Sequence, residues 1–190
     1  MRLLLLTAAL LLILPHAHAQ SDRVFSVGLS VLDEHVGFPF QHLPGNPANS
    51  FNPGLALSIE SRRERGGSFQ FSHALELGYY HHAENEQAGY IAYKPRLGLR
   101  FFRTLDLHLV PGVGYARSYP TVQSFAREGD RYELATNYGV SHFMPSLGVG
   151  IGLDLKAITG LPLRFHVRHE TFLLLPSLHT FSHAGVLVSF

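Results

Sequence analysis

Three Ser-His dipeptides, a His-His pair followed by acidic residues, and a scattered set of arginines and carboxylates are the groups in this chain with chemistry to offer. Ser72-His73, Ser141-His142 and Ser182-His183 each supply the hydroxyl and imidazole of a nucleophile and its base. Neighbours on a strand point to opposite faces, so none of these dipeptides can present both groups together on regular strand. His169 and Ser182 do fall on one face of two consecutive strand-like segments, which keeps a hydrolytic reading open for that pair. His81 and His82, with Glu84 and Glu86 after them, could hold a surface Zn²⁺ or Cu²⁺ ion. The two histidines chelate together only if the strand has ended before them. His35, His42, His142, His179 and His183 also stand in or near segment ends and read as solvated loop side chains. Beyond these candidates no catalytic residue, metal site or cofactor is expected.

The largest set is Glu60, Glu76, Arg96, Arg100, Asp106, Arg164, Arg168 and Glu170. These residues fall on the polar faces of segments whose other faces are apolar, so they meet only if the segments are arranged around a common space. That arrangement would be either a selective path for ions or a network of buried salt bridges.

The elements that must position them have a two-residue period. Phe25, Val27, Leu29 and Val31 alternate with Ser26, Gly28 and Ser30, and Leu55, Leu57 and Ile59 with Ser58 and Glu60. Phe69 to Tyr79 alternates with Gln70 to Gly78, and Ile91, Tyr93, Leu97, Leu99 and Phe101 with Ala92, Lys94, Arg96, Gly98 and Arg100. Leu107 to Tyr115 opposes Asp106, His108, Gly112 and Gly114, and Phe143 to Leu153 opposes Ser146, Gly148, Gly150, Gly152 and Asp154. Leu163, Phe165, Val167, His169 and Thr171 oppose Arg164, His166, Arg168 and Glu170, and a last segment ends Val186, Val188, Phe190. The spacing predicts eight strands whose links alternate long and short. Asp33 to Pro53 and Tyr119 to Ser141 are the longest links, and long loops on a rigid scaffold are where binding tends to reside.

Met1-Arg2, an uncharged run from Leu3 to Leu14 and Ala17-His18-Ala19 have the form of a secretory signal peptide over residues 1–19, leaving one domain over 20–190. There is no cysteine, so disulfides and thiolate chemistry are excluded, and a formal net charge of +1 argues against a nucleic-acid partner. Lys94 and Lys156 are the only lysines; the other cations are arginines, suited to fixed pairing with carboxylates.

Alternation fits a soluble barrel with an apolar interior or a membrane barrel with an apolar exterior. Glycine beside charged groups on the polar faces favours the second, because an eight-stranded barrel has room inside only for side chains. Phe25, Tyr79, Tyr80, Tyr90, Phe101, Phe102, Tyr115, Tyr119, Phe143 and Phe190 are expected to form interfacial girdles. Pro95, Pro111 and Pro145 sit mid-strand on the apolar face, where each removes a ladder bond unless a bulge absorbs it.

The terminal run through Val186, Val188 and Phe190 resembles the assembly signal of bacterial outer-membrane β-barrels. The chain as a whole is similar to the small eight-stranded barrels of the OmpA and OmpX type, and to outer-membrane barrels with segments such as Asn52-Pro53-Gly54, Leu77-Gly78-Tyr79 and Gly112-Val113-Gly114-Tyr115. The resemblance implies an all-β, antiparallel, up-and-down barrel in a Gram-negative outer membrane, with both termini in the periplasm. The partners it implies are outer-membrane lipid, lipopolysaccharide and, through the last strand, the barrel-assembly machinery. The expected role is a scaffold whose loops make surface contacts. A narrow porin-like channel and a lipid A-modifying hydrolase are the alternatives.

Overall fold

The computed structural model describes residues 23–36, 51–63, 67–82, 86–121, 125–128, 131–134, 139–174 and 177–190. The leader and its cleavage site, His42 with most of the first long loop, and Glu84 lie outside them.

Eight strands close into one barrel: β1 (Arg23–Val36), β2 (Pro53–Arg63), β3 (Phe69–His81), β4 (Glu86–Phe101), β5 (Leu105–Pro120), β8 (Val140–Asp154), β9 (Leu163–Leu174) and β10 (Ser177–Ser189). Every pairing is antiparallel between consecutive barrel strands, and β10 returns to β1. The closing seam runs over eleven rungs, from Ser26 opposite Ser189 to Val36 opposite His179. A separate hairpin of β6 (Phe125–Glu128) and β7 (Arg131–Leu134) lies in the long link between β5 and β8. A one-turn helix, α1 (Lys156–Thr159), ends at Gly160 in the left-handed region and joins β8 to β9.

The alternation is turned inside out relative to a water-soluble protein. In β2 the buried positions include Ser58 and Glu60, while Leu55, Leu57 and Ile59 are about half exposed. The same holds round the barrel: Glu76, Lys94, Arg96, Asp106, Arg168 and Glu170 are buried, and Leu77, Leu97, Leu107, Val149 and Val167 face outward. Lipid satisfies such an outer wall as water does not. A tilted strand crosses a bilayer in about 9–11 residues, and the strands here run from 11 to 16 residues. No helix among the described residues is long and apolar enough to cross a membrane.

One expectation is corrected. Tyr80 and Tyr90 are buried in the lumen and are not in a girdle, because Gly78, opposite Tyr90, leaves room for its ring: a Cβ there would overlap it. The prolines of β4 and β5 do cost ladder bonds, as expected, and no bulge absorbs the loss. Pairing stops after Tyr93–Val113 and resumes at Leu97–Leu109 in the same register, so Pro95 and Pro111 face one another in a three-rung interruption. Two facing residues without N–H groups cannot exchange ladder bonds, and the break needs no inserted residue.

Candidate functional site

All eight residues of the predicted charge set point into the barrel, and they meet there in two clusters. β2, β4, β5, β8 and β9 build the first, at the end of the barrel where β1 begins and β10 ends. Arg164 Nη2 donates to both oxygens of Glu60 at 2.6 Å, and Arg96 Nη1 donates to Glu60 Oε2 at 2.5 Å. Arg100 Nε donates to Asp106 Oδ1 at 2.8 Å, and its Nη2 reaches Asp154 at 3.3 Å, with Arg62 at 3.6 Å from the same carboxylate. Four arginines thus meet three carboxylates. A cavity of about 20 Å³ lies among Arg62, Ser72, Arg96, Asp106, His108 and Arg164, with space for about one water molecule.

The second cluster is drier and balanced. Lys94 Nζ donates to Glu76 Oε1 at 2.6 Å and to Glu170 Oε2 at 2.8 Å. Arg168 Nη2 donates to Glu76 Oε2 at 2.8 Å, and Arg168 Nε lies 3.0 Å from Glu170. Tyr90 donates to Glu76 at 2.9 Å, and Ser146 donates to Glu170 at 2.7 Å. Two cations and two carboxylates, each multiply bonded, offset the desolvation that charges suffer in so enclosed a space. Gly148 lets Glu170 in: a Cβ there would stand 3.0 Å from Glu170 Cβ.

Above Lys94 the lumen turns aromatic, which the sequence reading missed. Lys94 Nζ stands 4.6 Å from the centre of the Phe172 ring, Phe172 packs edge-on against Phe181 at 4.6 Å, and Phe181 against Tyr80 at 5.1 Å. Leu32, Met144 and Leu174 complete this buried cluster. The inward parity of Phe172 and Phe181, shared with Glu170 and His183, was the available signal. Beyond the aromatics, Glu34 is bracketed by His82 Nδ1 at 2.7 Å and His179 Nδ1 at 2.8 Å, and Tyr80 donates to Glu86 at 2.6 Å.

The histidines therefore differ from the solvated reading. His35, His179 and His183 are buried, and His183 Nδ1 lies 3.0 Å from Arg168 Nη2 inside the lumen. Of the metal candidates, His82 and Glu86 are engaged with Glu34 and Tyr80, whereas His81 stands opposite Gln87 across the β3–β4 pairing; Glu84 lies outside the described residues. Among the described residues no group of three or more histidines and carboxylates is placed to hold a metal.

His169 and Ser182 do come together. They are direct cross-strand partners on the outward face, with His169 Nδ1 3.2 Å from Ser182 Oγ. On the other side of Ser182 its partner is Asp33, whose carboxylate lies 3.2 Å from His35 Nε2. Two rungs further along, past Glu34, Phe181 and Glu170, come His35, Thr180 and Thr171. Successive rungs of the same parity are thus polar here.

Val186, Val188 and Phe190 share the outward face of the closing strand, and Phe190 N donates to Phe25 O at 2.8 Å.

No protein-family model and no curated protein sequence matches the chain. Solved structures do. Ail, the attachment invasion locus protein of Yersinia pestis, superimposes with a TM-score of 0.54 at 12% identity, over 90% of this chain and 100% of Ail. Neisserial surface protein A superimposes with a TM-score of 0.53 at 9% identity, over 90% of this chain and 98% of that one. At such identities the likeness is one of fold: the chain has the architecture of the small eight-stranded outer-membrane barrels.

Proposed function

We propose that this protein is a non-conducting scaffold of a Gram-negative outer membrane, exported by residues 1–19 and assembled through its C-terminal strand, which displays its long links at the cell surface. The observation that carries the reading is the filled lumen. Fully buried Lys94 and Arg168 lock onto Glu76 and Glu170, and the Phe172–Phe181–Tyr80 stack closes the bore above them. A channel needs a continuous wet path, and this interior offers tightly bonded ions followed by hydrocarbon. What a closed barrel still presents is its surface, and the link from β5 to β8 carries the β6–β7 hairpin, a two-stranded sheet of its own. The outward face contacts phospholipid and lipopolysaccharide, and an extracellular partner meets the hairpin.

Planar-bilayer recording of the refolded protein tests the closed lumen. Wild type is expected to be silent, and Lys94→Ala/Arg168→Ala to pass current. A steady ion-selective current through wild type overturns the proposal. In parallel, cells displaying the protein are scored for attachment to immobilised matrix proteins and glycans. Replacing residues 122–138 by a short linker is expected to remove whatever attachment wild type confers while the barrel still folds.

A second reading rests on the His169–Ser182 bond. With Ser182 Oγ as nucleophile and His169 as its base, an ester of an outer-leaflet lipid such as lipid A would be the substrate, reached from within the membrane. Asp33, on the far side of Ser182, is paired with His35, whereas in a triad the carboxylate orients the base. Mass spectrometry of lipid A from cells making wild type or Ser182→Ala decides the matter. Loss of an acyl chain with wild type alone supports the hydrolase, and identical spectra remove it.

A further inference from the structure

The end of the barrel where β1 begins and β10 ends carries an arrangement that neither scaffold nor hydrolase uses. Arg23 and Arg63 are direct cross-strand partners at the edge of the β1–β2 pairing, both exposed. Like charges placed opposite one another destabilise a sheet, and among the described residues neither arginine has a carboxylate partner. Between and below them runs a groove of about 360 Å³ lined by Arg23, Ser61, Arg63, Phe69, Phe71 and His73. Its floor is ordered: the His73 ring stands edge-on to Phe71 at 4.5 Å and is hydrogen-bonded to the Tyr93 hydroxyl. Among the described residues, the side-chain carboxylates at this end, Glu60, Asp106 and Asp154, are turned into the lumen and spent on its arginines. The ionised side chains exposed here among the described residues are therefore all cationic: Arg23, Arg63, Arg103 and Lys156.

We infer that this groove seats an anionic phospholipid of the periplasmic leaflet, an inference that rests on the membrane-spanning reading of the barrel. The lipid phosphate lies between the Arg23 and Arg63 guanidinium groups, and the start of an acyl chain lies along Phe69 and Phe71. Guanidinium donors match phosphate oxygens in geometry as well as charge, and one shared anion turns an opposed pair of cations into a bridged one. Aromatic side chains favour the headgroup boundary, where an apolar ring meets a polar neighbour. Charge complementarity selects an anionic head, and the apolar floor selects a molecule with a tail, because free phosphate would leave Phe69 and Phe71 uncovered.

The mature protein is inserted into nanodiscs of phosphatidylglycerol and phosphatidylcholine in equal parts, and native mass spectrometry reads the lipid that stays bound. Wild type is expected to retain phosphatidylglycerol preferentially, and excess inorganic phosphate is expected not to displace it. In Arg23→Gln/Arg63→Gln the preference should fall about tenfold or more, the scale expected for two interfacial arginines. Arg103→Gln/Lys156→Gln should keep it. Arg23→Lys/Arg63→Lys, which preserves charge without the planar fork, should fall between, and it stands in if the glutamine variant does not insert. Equal retention of the two lipids by wild type, unchanged preference in both Arg23/Arg63 variants, equal loss in the Arg103/Lys156 variant, or displacement by phosphate each overturns the site. A wild-type protein that does not insert, seen as no heat-shifted band on electrophoresis, overturns the membrane reading itself, so the two failures are distinct.

Discussion

Lys94 shows what a single side chain is asked to do in this lumen. Its ammonium group is fully buried, bonded to Glu76 and Glu170, and capped by the Phe172 ring. Removing it leaves two carboxylates to share Arg168, an uncompensated buried negative charge. Breaking one partner out of a buried ionic network typically costs about 3–5 kcal/mol, whereas removing one charge of each sign costs less. Lys94→Met is therefore expected to lower the unfolding free energy in lipid vesicles by about 3 kcal/mol. Lys94→Met/Glu170→Gln should recover part of that loss, a coupling of the kind that neighbouring sites show. Urea titrations of the three proteins check this. A Lys94→Met protein with an unchanged midpoint would mean that the network fills space without holding the barrel together.

At the scale of the strand, legibility followed parity. Glu60, Glu76, Arg96, Arg164, Arg168 and Glu170 were placed on inward faces by alternation alone, because a two-residue period assigns every side chain in a strand once one of them is assigned. His169 and Ser182 were put on one face in the same way, and they are bonded partners. Parity fails where the composition of a face changes along its length. Tyr80, Tyr90, Phe172 and Phe181 keep the inward parity of the charged residues, yet aromatic identity at strand ends makes Tyr80 and Tyr90 read as girdle residues and leaves Phe172 and Phe181 unassigned. Each proline taken alone implies a lost ladder bond or a bulge, and alternation does not choose between them. Only the register, which places Pro95 opposite Pro111, shows that one gap serves both. The link from β4 to β5 was seen as a turn without its type. Phe102 and Arg103 have φ values of 51° and 63°, and two successive residues with positive φ in a tight hairpin turn usually announce themselves as Asn-Gly. Cross-strand partners such as Asp154 with Arg100, or Glu34 with His179, depend on which strands become neighbours and at what stagger, and no single strand carries that information.

The whole molecule is a closed surface made by one seam, and Phe190 sits at its end. Eleven rungs join β1 to β10, and the last bond, from Phe190 N to Phe25 O at 2.8 Å, is made by the backbone. The Phe190 ring is 56% exposed, so the finished barrel gains little from it. A residue whose side chain contributes little to the folded state while ending an outward run of Val186 and Val188 is suited to being read before the seam has closed. Stability and assembly should then separate in Phe190→Ala, which keeps the backbone bond and removes the ring. Refolded into vesicles, the variant is expected to unfold within about 0.5 kcal/mol of wild type, as exposed substitutions do. In cells, the heat-shifted, folded fraction in the outer membrane should fall several-fold while export across the inner membrane is unchanged. Equal folded fractions for wild type and variant in cells would mean that the terminal ring is not an assembly signal. An equal loss in vesicles and cells would mean that it acts by holding the seam, and the signal would then have to lie in Val186 and Val188 or elsewhere along β10.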